Sequence, residues 1–301
     1  MTTLRLATRK SKLALAQARA YYRGLQAQHD GLTVDEVHIV TSGDKFVDRP
    51  LQALGGKGLF IKEIEEALLD GRADIAVHSI KDVPAELAPK LALASIPERE
   101  DPRDVIVTRE GGKLADLPKG ARVGTSSLRR KCMLLRSRPD LDIGPLRGNV
   151  DTRLRKLEEG QVDAIVLAYA GLRRLDIADR ATEILEPETM LPAVGQGALG
   201  IECREEDDAV RAVLATSDHA ETRVRVAGER AFMAAVGGSC QLPVAAFALH
   251  EGDQLWLRAM VADPDGSNPR YGERRTSWPA DFAEAEREAE RAGVDLGREL
   301  R

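Results

Sequence analysis

The 301-residue sequence predicts an α/β protein with two lobes, each built on a mainly parallel sheet around a cleft, followed by a smaller C-terminal α+β domain. Three observations predict it. Strands alternate with helices through the first 100 residues, the pattern of a parallel sheet covered on both faces. The alternation restarts after Glu98-Arg99-Glu100-Asp101-Pro102-Arg103-Asp104, a charged, proline-bearing boundary. Beyond about residue 220 the pattern changes to a helix, a glycine-rich loop and consecutive strands.

Taken in order, Leu4–Thr8 reads as a strand and Lys12–Gln28 as a helix with Leu13, Ala16 and Ala20 on one side. Val34–Val40 is a strand, and a glycine-spaced stretch from Ser42 to Gly58 leads into a helix over Leu59–Leu69. Ala73–His78 and Leu91–Ile96 are short apolar strands. In the second lobe Val105–Thr108, Arg122–Gly124, Asp142–Leu146 and Ala164–Leu167 are strands, with helices at Ser127–Arg136, Asp151–Glu159 and Ala170–Leu175. Leu199–Cys203 is one more strand after the turn around Leu191–Ala198. The last third carries a helix over Ala220–Ala235, strands at Val244–Leu249 and Gln254–Val261, and a final helix over Ala280–Ala292.

Composition narrows the function. No run of about 18 apolar residues exists, which excludes a membrane-spanning helix. The N-terminus lacks the pattern of a secretory signal, and three cysteines cannot close a disulfide framework, so a cytoplasmic protein is expected. The net charge is −5, yet the stretch from Arg122 to Arg155 holds nine basic and three acidic residues, a local +6. A basic region in an acidic protein points to an anionic partner bound at one place. Aromatics are only 4% of the chain and none interleave that basic stretch, which argues against nucleic acid and for a small polyanion.

Ligands of open α/β sheets sit beyond the carboxyl ends of the strands. At those ends stand Arg9 and Ser11; Ser79, Lys81 and Asp82; Thr125, Ser126, Ser127, Arg129 and Arg130; and Arg147 and Arg153. Hydroxyls at helix starts cap the helix, and arginine offers a planar fork to carboxylates or phosphates. Asp82 is unusual in a basic site unless it faces a developing positive charge; pairing with Lys81 or capping the turn before Pro84 would be the structural alternative. His78 fits a structural role. Cys132 and Cys203 fit packing roles, whereas Cys240 lies in a loop, Gly237-Gly238-Ser239-Cys240-Gln241-Leu242-Pro243, where a thiol could be reactive. The five histidines have no ligand-like spacing, so no metal site is expected, and Gly55-Gly56-Lys57-Gly58 lacks the spacing of a nucleotide P-loop.

Together these motifs resemble the porphobilinogen deaminase (hydroxymethylbilane synthase) family. The resemblance runs through Ala7-Thr8-Arg9 with Ser11, Thr41 with Gly43-Asp44, Gly55–Phe60, Ala73–Pro84, Glu98–Asp104, Gly124–Arg130, Leu146–Val150, Leu191–Gly197 and the Cys240 loop. One departure stands out: a serine separates the paired glycines from Cys240, where a common form of the family has none.

The resemblance implies two lobes like those of periplasmic binding proteins and a third domain carrying the cysteine. The domains fall at 1–97 with 198–216, at 103–192 and at 220–301. It also implies a transferase of tetrapyrrole and haem biosynthesis, with a covalent dipyrromethane cofactor joined by a thioether to Cys240. Four porphobilinogen molecules are then joined head to tail with loss of ammonia, and water releases hydroxymethylbilane. Asp82 is the implied catalytic carboxylate. Arg9, Ser11, Lys57, Ser79, Lys81, Thr125, Ser127, Arg129, Arg130, Arg147, Arg153 and Gln196 are the implied cofactor and substrate contacts. A monomer that passes its product to the next tetrapyrrole enzyme is expected. The competing readings are a non-catalytic two-lobed solute-binding protein, against which the Cys240 loop counts, and a nucleic-acid or effector-binding regulator, disfavoured by composition.

Overall fold

The computed structural model describes residues 2–45, 61–237 and 242–301. The chain divides into two compact units, residues 1–99 with 198–224 and residues 100–197 with 225–301.

The first unit opens with β1 (Thr2–Arg9), α1 (Lys12–Gln28), β2 (Leu32–Ile39), the short α2 (Ser42–Lys45), α3 (Lys62–Leu69), β3 (Ile75–Ser79) and β4 (Leu91–Ser95). The second unit begins with β5 (Asp104–Thr108), β6 (Arg122–Gly124), α4 (Leu128–Ser137), β7 (Asp142–Gly144), α5 (Val150–Glu158), β8 (Ala164–Ala168), α6 (Tyr169–Arg174) and β9 (Glu183–Leu185). The chain returns to the first unit with β10 (Leu199–Arg204) and α7 (Asp208–Ala215). It ends with α8 (Ala220–Ala235), β11 (Val244–Glu251), β12 (Gln254–Val261), β13 (Arg270–Ser277) and α9 (Phe282–Leu300). Among the described residues no helix is long and apolar enough to cross a membrane.

The two five-stranded sheets repeat one plan. Their orders are β2-β1-β3-β10-β4 and β7-β6-β8-β5-β9. In each, three parallel strands are followed by one antiparallel strand and then by an edge strand antiparallel to it. Four strands therefore run one way and one the other, so both sheets are mainly parallel. The reversed strand is the segment that enters from the other unit: β10 in the first sheet, β5 in the second.

Sequence explains why these segments are buried strands. Every residue of Asp104–Thr108 is buried, as is all of β3 but its last residue, and both segments are apolar apart from residues at or near their ends. Helices cover both faces of the first sheet: Leu6, Ile75 and Ile201 pack under Tyr21 and Leu25 of α1, while Ala7, Ile39 and Ala76 pack under Ile64 and Leu68 of α3. In the second sheet, Val105, Ile165 and Leu167 pack with Leu154 and Leu157 of α5. Its other face, with Ile106, Val123 and Val166, shares one core with Leu134 of α4 and with Ala245, Phe247 and Met260 of the antiparallel sheet β11-β12-β13.

The expected fold class therefore holds, and β9, β13 and α7 are among the elements that the sequence pattern does not predict. β9 is a three-residue edge, and β13 (Arg-Tyr-Gly-Glu-Arg-Arg-Thr-Ser) has no apolar alternation; its pairing with β12 makes it a strand. α7 shows in the sequence only through Val210 and Leu214, one helical turn apart and both buried. The final helix also runs to Leu300, through Gly293 and Gly297. Both glycines sit where α9 meets α8: a Cβ on Gly293 would lie 2.2 Å from the Gly228 carbonyl oxygen and 2.8 Å from the Phe232 nitrogen. Glycine here permits contact between helix backbones. Gly293→Ala is expected to destabilise the protein by about 3 kcal/mol, an overpacking cost with no flexible side chain to yield; urea unfolding with an unchanged midpoint would refute this.

Candidate functional site

Each five-stranded sheet gathers candidate residues at one edge. In the first unit, parallel pairing brings the carboxyl ends of β1 and β3 to the same side, and the antiparallel register sets Ser79 opposite Leu199, at the start of β10. Arg9 closes β1, half-buried. Ser11 caps α1, its hydroxyl accepting from the Ala14 amide at 3.3 Å. Ser79 accepts from Nε2 of the buried Gln17 at 2.9 Å. The chain then turns through a single 3₁₀ turn, Ile80–Asp82, held where the Ile80 amide donates to the Ala198 carbonyl at 3.0 Å. Lys81 is half-buried on this turn and Asp82 is exposed. The Asp82 carboxylate has no hydrogen bond or ion pair among the described residues, so neither alternative role, pairing with Lys81 or capping the turn, is used. His78, one residue before Ser79, is buried and hydrogen-bonded to buried Glu202 at 2.9 Å, which ties β3 to β10 just ahead of the turn.

In the second unit the register sets Asp104, at the start of β5, opposite Ala168 at the end of β8. The carboxyl ends of β6 and β7 lie on the same side of the sheet. Thr125 follows β6; its hydroxyl accepts from the Ser127 amide at 3.2 Å, and Ser127 caps α4 by accepting from the Arg130 amide at 3.3 Å. Ser126 donates to the Leu146 carbonyl at 3.0 Å, tying β6 to the segment after β7. That segment carries Arg147, half-buried, and Gly148, whose carbonyl accepts from Arg153 Nε at 2.8 Å.

The first turn of α4 points two arginines inward. Arg129 Nη1 donates to Asp104 Oδ2 and to the Leu191 carbonyl, both at 2.7 Å. Arg130 donates to Asp104 Oδ1 from Nε at 3.1 Å and from Nη2 at 2.6 Å, and to the Val166 carbonyl from Nη1 at 2.9 Å. Gln196 Nε2 joins the same carboxylate at 3.1 Å and the Pro102 carbonyl at 2.6 Å. Asp104 has no exposed side-chain surface, and the arginines expose only 6% and 8% of theirs. Burial works to raise the Asp104 carboxyl, but the charges and hydrogen bonds of Arg129 and Arg130 outweigh it and hold it well below the usual carboxylate range. The arginines expected at a ligand surface are thus first of all members of a buried cluster with one carboxylate, net +1.

Two residues of this edge escaped the sequence reading. Asp104 counted only as part of a boundary. Arg174, closing α6, follows β8 under the same strand-end rule that found the others; its Nη2 donates to the Gly197 carbonyl at 2.7 Å, and burial pulls its guanidinium down to about 10, partly opposed by Glu100. Lys57 and Cys240 lie outside the described residues.

Each α/β unit thus presents arginine, lysine or hydroxyl side chains at the carboxyl edge of its own sheet, the residue types suited to carboxylate or phosphate groups. The chain matches the family model for the "Porphobilinogen deaminase, dipyromethane cofactor binding domain" over residues 4–212 and that for the C-terminal domain of the same enzyme over residues 223–301. A porphobilinogen deaminase from Sorangium cellulosum (strain So ce56) is 64% identical over 300 residues, covering 100% of this chain and 99% of the relative. Solved structures with partial overlap include the periplasmic VFT2 domain of Bordetella pertussis BvgS (17% identity, 71% of this chain and 86% of that one, TM-score 0.44) and the methionine-binding protein MetQ (13%, 71% and 89%, TM-score 0.46). The chain belongs to the porphobilinogen deaminase family, transferases of tetrapyrrole biosynthesis that carry a dipyrromethane cofactor.

Proposed function

We propose that this chain joins four porphobilinogen molecules head to tail with loss of ammonia and releases hydroxymethylbilane, with Asp82 as the catalytic carboxylate. The observation that carries the reading is the exposed Asp82 carboxylate, without a partner among the described residues, on a turn it shares with Lys81 and at the same sheet edge as Arg9.

The donor chemistry fits a dipyrromethane. Each of its pyrroles bears an acetate and a propionate, and Arg9, Lys81, Arg147 and Arg153 are half-buried cations at strand ends, suited to charge-assisted hydrogen bonds with such groups. Ser79 precedes the turn that carries Lys81, and Ser11 and Ser127 cap α1 and α4 next to the ends of β1 and β6. Thr125 accepts from the Ser127 amide, and the family resemblance adds Lys57 to the proposed contacts. Arg129, Arg130 and Gln196 hold the first turn of α4 in one geometry through Asp104. When bound through the Cys240 sulfur, the cofactor supplies a covalent acceptor for each new pyrrole. Asp82 opposes the positive charge left on the incoming pyrrole as ammonia departs and accepts a hydrogen bond from its N–H. The arginines and Lys81 orient the carboxylates of the growing chain.

Residues 220–301 act in this reading as a third domain, placing Cys240, and the protein works as a cytoplasmic monomer that passes its product to the next tetrapyrrole enzyme. Intact mass spectrometry tests the assignment. The purified chain is expected to exceed its 32.8 kDa sequence mass by two pyrrole units, and Cys240→Ser to lose both the excess and turnover. An unmodified mass in an active preparation would sink the tether.

A further inference from the structure

The turn Gly195-Gln196-Gly197 is held at each residue by a different part of the second unit. The Gly195 amide donates to Glu229 Oε2 at 2.7 Å. Gln196 reaches Asp104, the carboxylate shared by Arg129 and Arg130, at 3.1 Å. The Gly197 carbonyl accepts from Arg174 at 2.7 Å and from the Glu100 amide at 3.2 Å. Gly195 and Gly197 have φ of +65° and +89°, and a Cβ on Gly197 would stand 2.3 Å from the Glu100 carbonyl oxygen, so the turn has little room to shift.

Glu229 is what connects this turn to the C-terminal part. It lies on α8 and is fully buried. Its other oxygen, Oε1, accepts from the Ala248 amide at 2.9 Å. Ala248 belongs to β11, the edge of the three-stranded sheet, whose outer amides pair with no strand among the described residues. Arg225, one helical turn earlier on α8, donates to the Ala248 carbonyl at 2.8 Å. One carboxylate thus joins α8, β11 and the Gly195 turn. In sequence, Cys240 lies between α8 and β11.

We infer that Glu229 is a positioning residue that sets the Gln196–Asp104–Arg129–Arg130 cluster relative to the two elements that flank Cys240. This rests on the functional reading above. A fully buried carboxylate is costly to keep, and here each oxygen is matched to a backbone N–H from a different element, so its energy goes into their relative placement. Glutamine in its place presents an amide NH₂ to one of those N–H groups and loses that link.

The test is a double-mutant cycle on holoenzyme, with Glu229→Gln, Gln196→Ala and the pair, reading kcat/KM per cofactor-loaded chain. Glu229→Gln is expected to lower kcat/KM about 10- to 100-fold, the loss of a hydrogen bond to a charged group. Because both residues act through one turn, the double variant should fall within about threefold of the worse single variant. Losses that multiply, or an unchanged kcat/KM beside a lowered melting temperature, would overturn the inference and leave Glu229 structural. Arg225→Leu, which removes an α8–β11 contact but not the turn, should lower stability without changing kcat/KM of loaded chains. If Glu229→Gln does not fold, Glu229→Asp, one methylene too short to span both amides, takes its place. A wild-type chain lacking the two-pyrrole mass excess would overturn the functional reading instead. The positioning claim then rests on amide exchange, where the variant should speed exchange at Gly195 and Gln196 as well as at Ala248; a change at Ala248 alone would refute it.

Discussion

Replacing Asp82 by Asn is expected to cut turnover of porphobilinogen by about 10²–10³-fold, the scale of losing one group aimed at developing charge. Asparagine keeps the size and removes the charge. Asp82 is exposed and makes no hydrogen bond or ion pair among the described residues, so the folded state loses little: unfolding should move by no more than about 0.5 kcal/mol. Intact mass should still show cofactor on much of the Asp82→Asn protein. The signature is therefore a loss of kcat without a loss of fold. Near-normal turnover would assign the carboxylate a structural role.

The second large effect falls on Asp104 and has the opposite signature. Asp104→Asn leaves Arg129 and Arg130 buried with their shared anion gone, and removing one partner of a buried pair costs about 3–5 kcal/mol. The effect should depend on pH in one direction. The Asp104 carboxyl is depressed in the folded state, so its contribution is fully present above the ordinary carboxylate value of about 3.9 and is lost as pH falls toward the depressed value. The gap in unfolding free energy between wild type and Asp104→Asn should be constant from pH 8 to about 5 and shrink below about 4. A gap that widened in acid would contradict a charged Asp104. Cofactor loading should also fall, since the first turn of α4 loses its fixed geometry.

Much of this was legible in the chain. Apolar runs such as Ile75–Val77 and Val105–Val107 announce buried strands, because a strand covered on both faces has no polar side to show. The strand-end rule singles out Arg9, Ser79, Lys81, Asp82, Arg129, Arg130, Arg147 and Arg153, since connectivity alone places those residues near the carboxyl edges of the sheets. It passed over Arg174, one α-helix beyond β8, although the same rule applies there. β13 was hidden because its own residues are polar; it is a strand by virtue of what β12 and α9 present to it.

By itself, then, the sequence determined the alternation of elements, the residue types at the strand ends and the family to which the chain belongs, for these are carried by local periodicity and ordered motifs. Only the tertiary structure decided how those residues are used. It turned Arg129 and Arg130 inward onto Asp104, left Asp82 without a partner among the described residues, and placed Glu229 between the Gly195 turn and β11. It also carried α9 through Gly293, where local propensity would end a helix, because α8 approaches too closely for any side chain. The physical reason is common to all of these. A charge or a glycine has its role set by what lies within a few ångströms of it, and here those neighbours are tens of residues away along the chain.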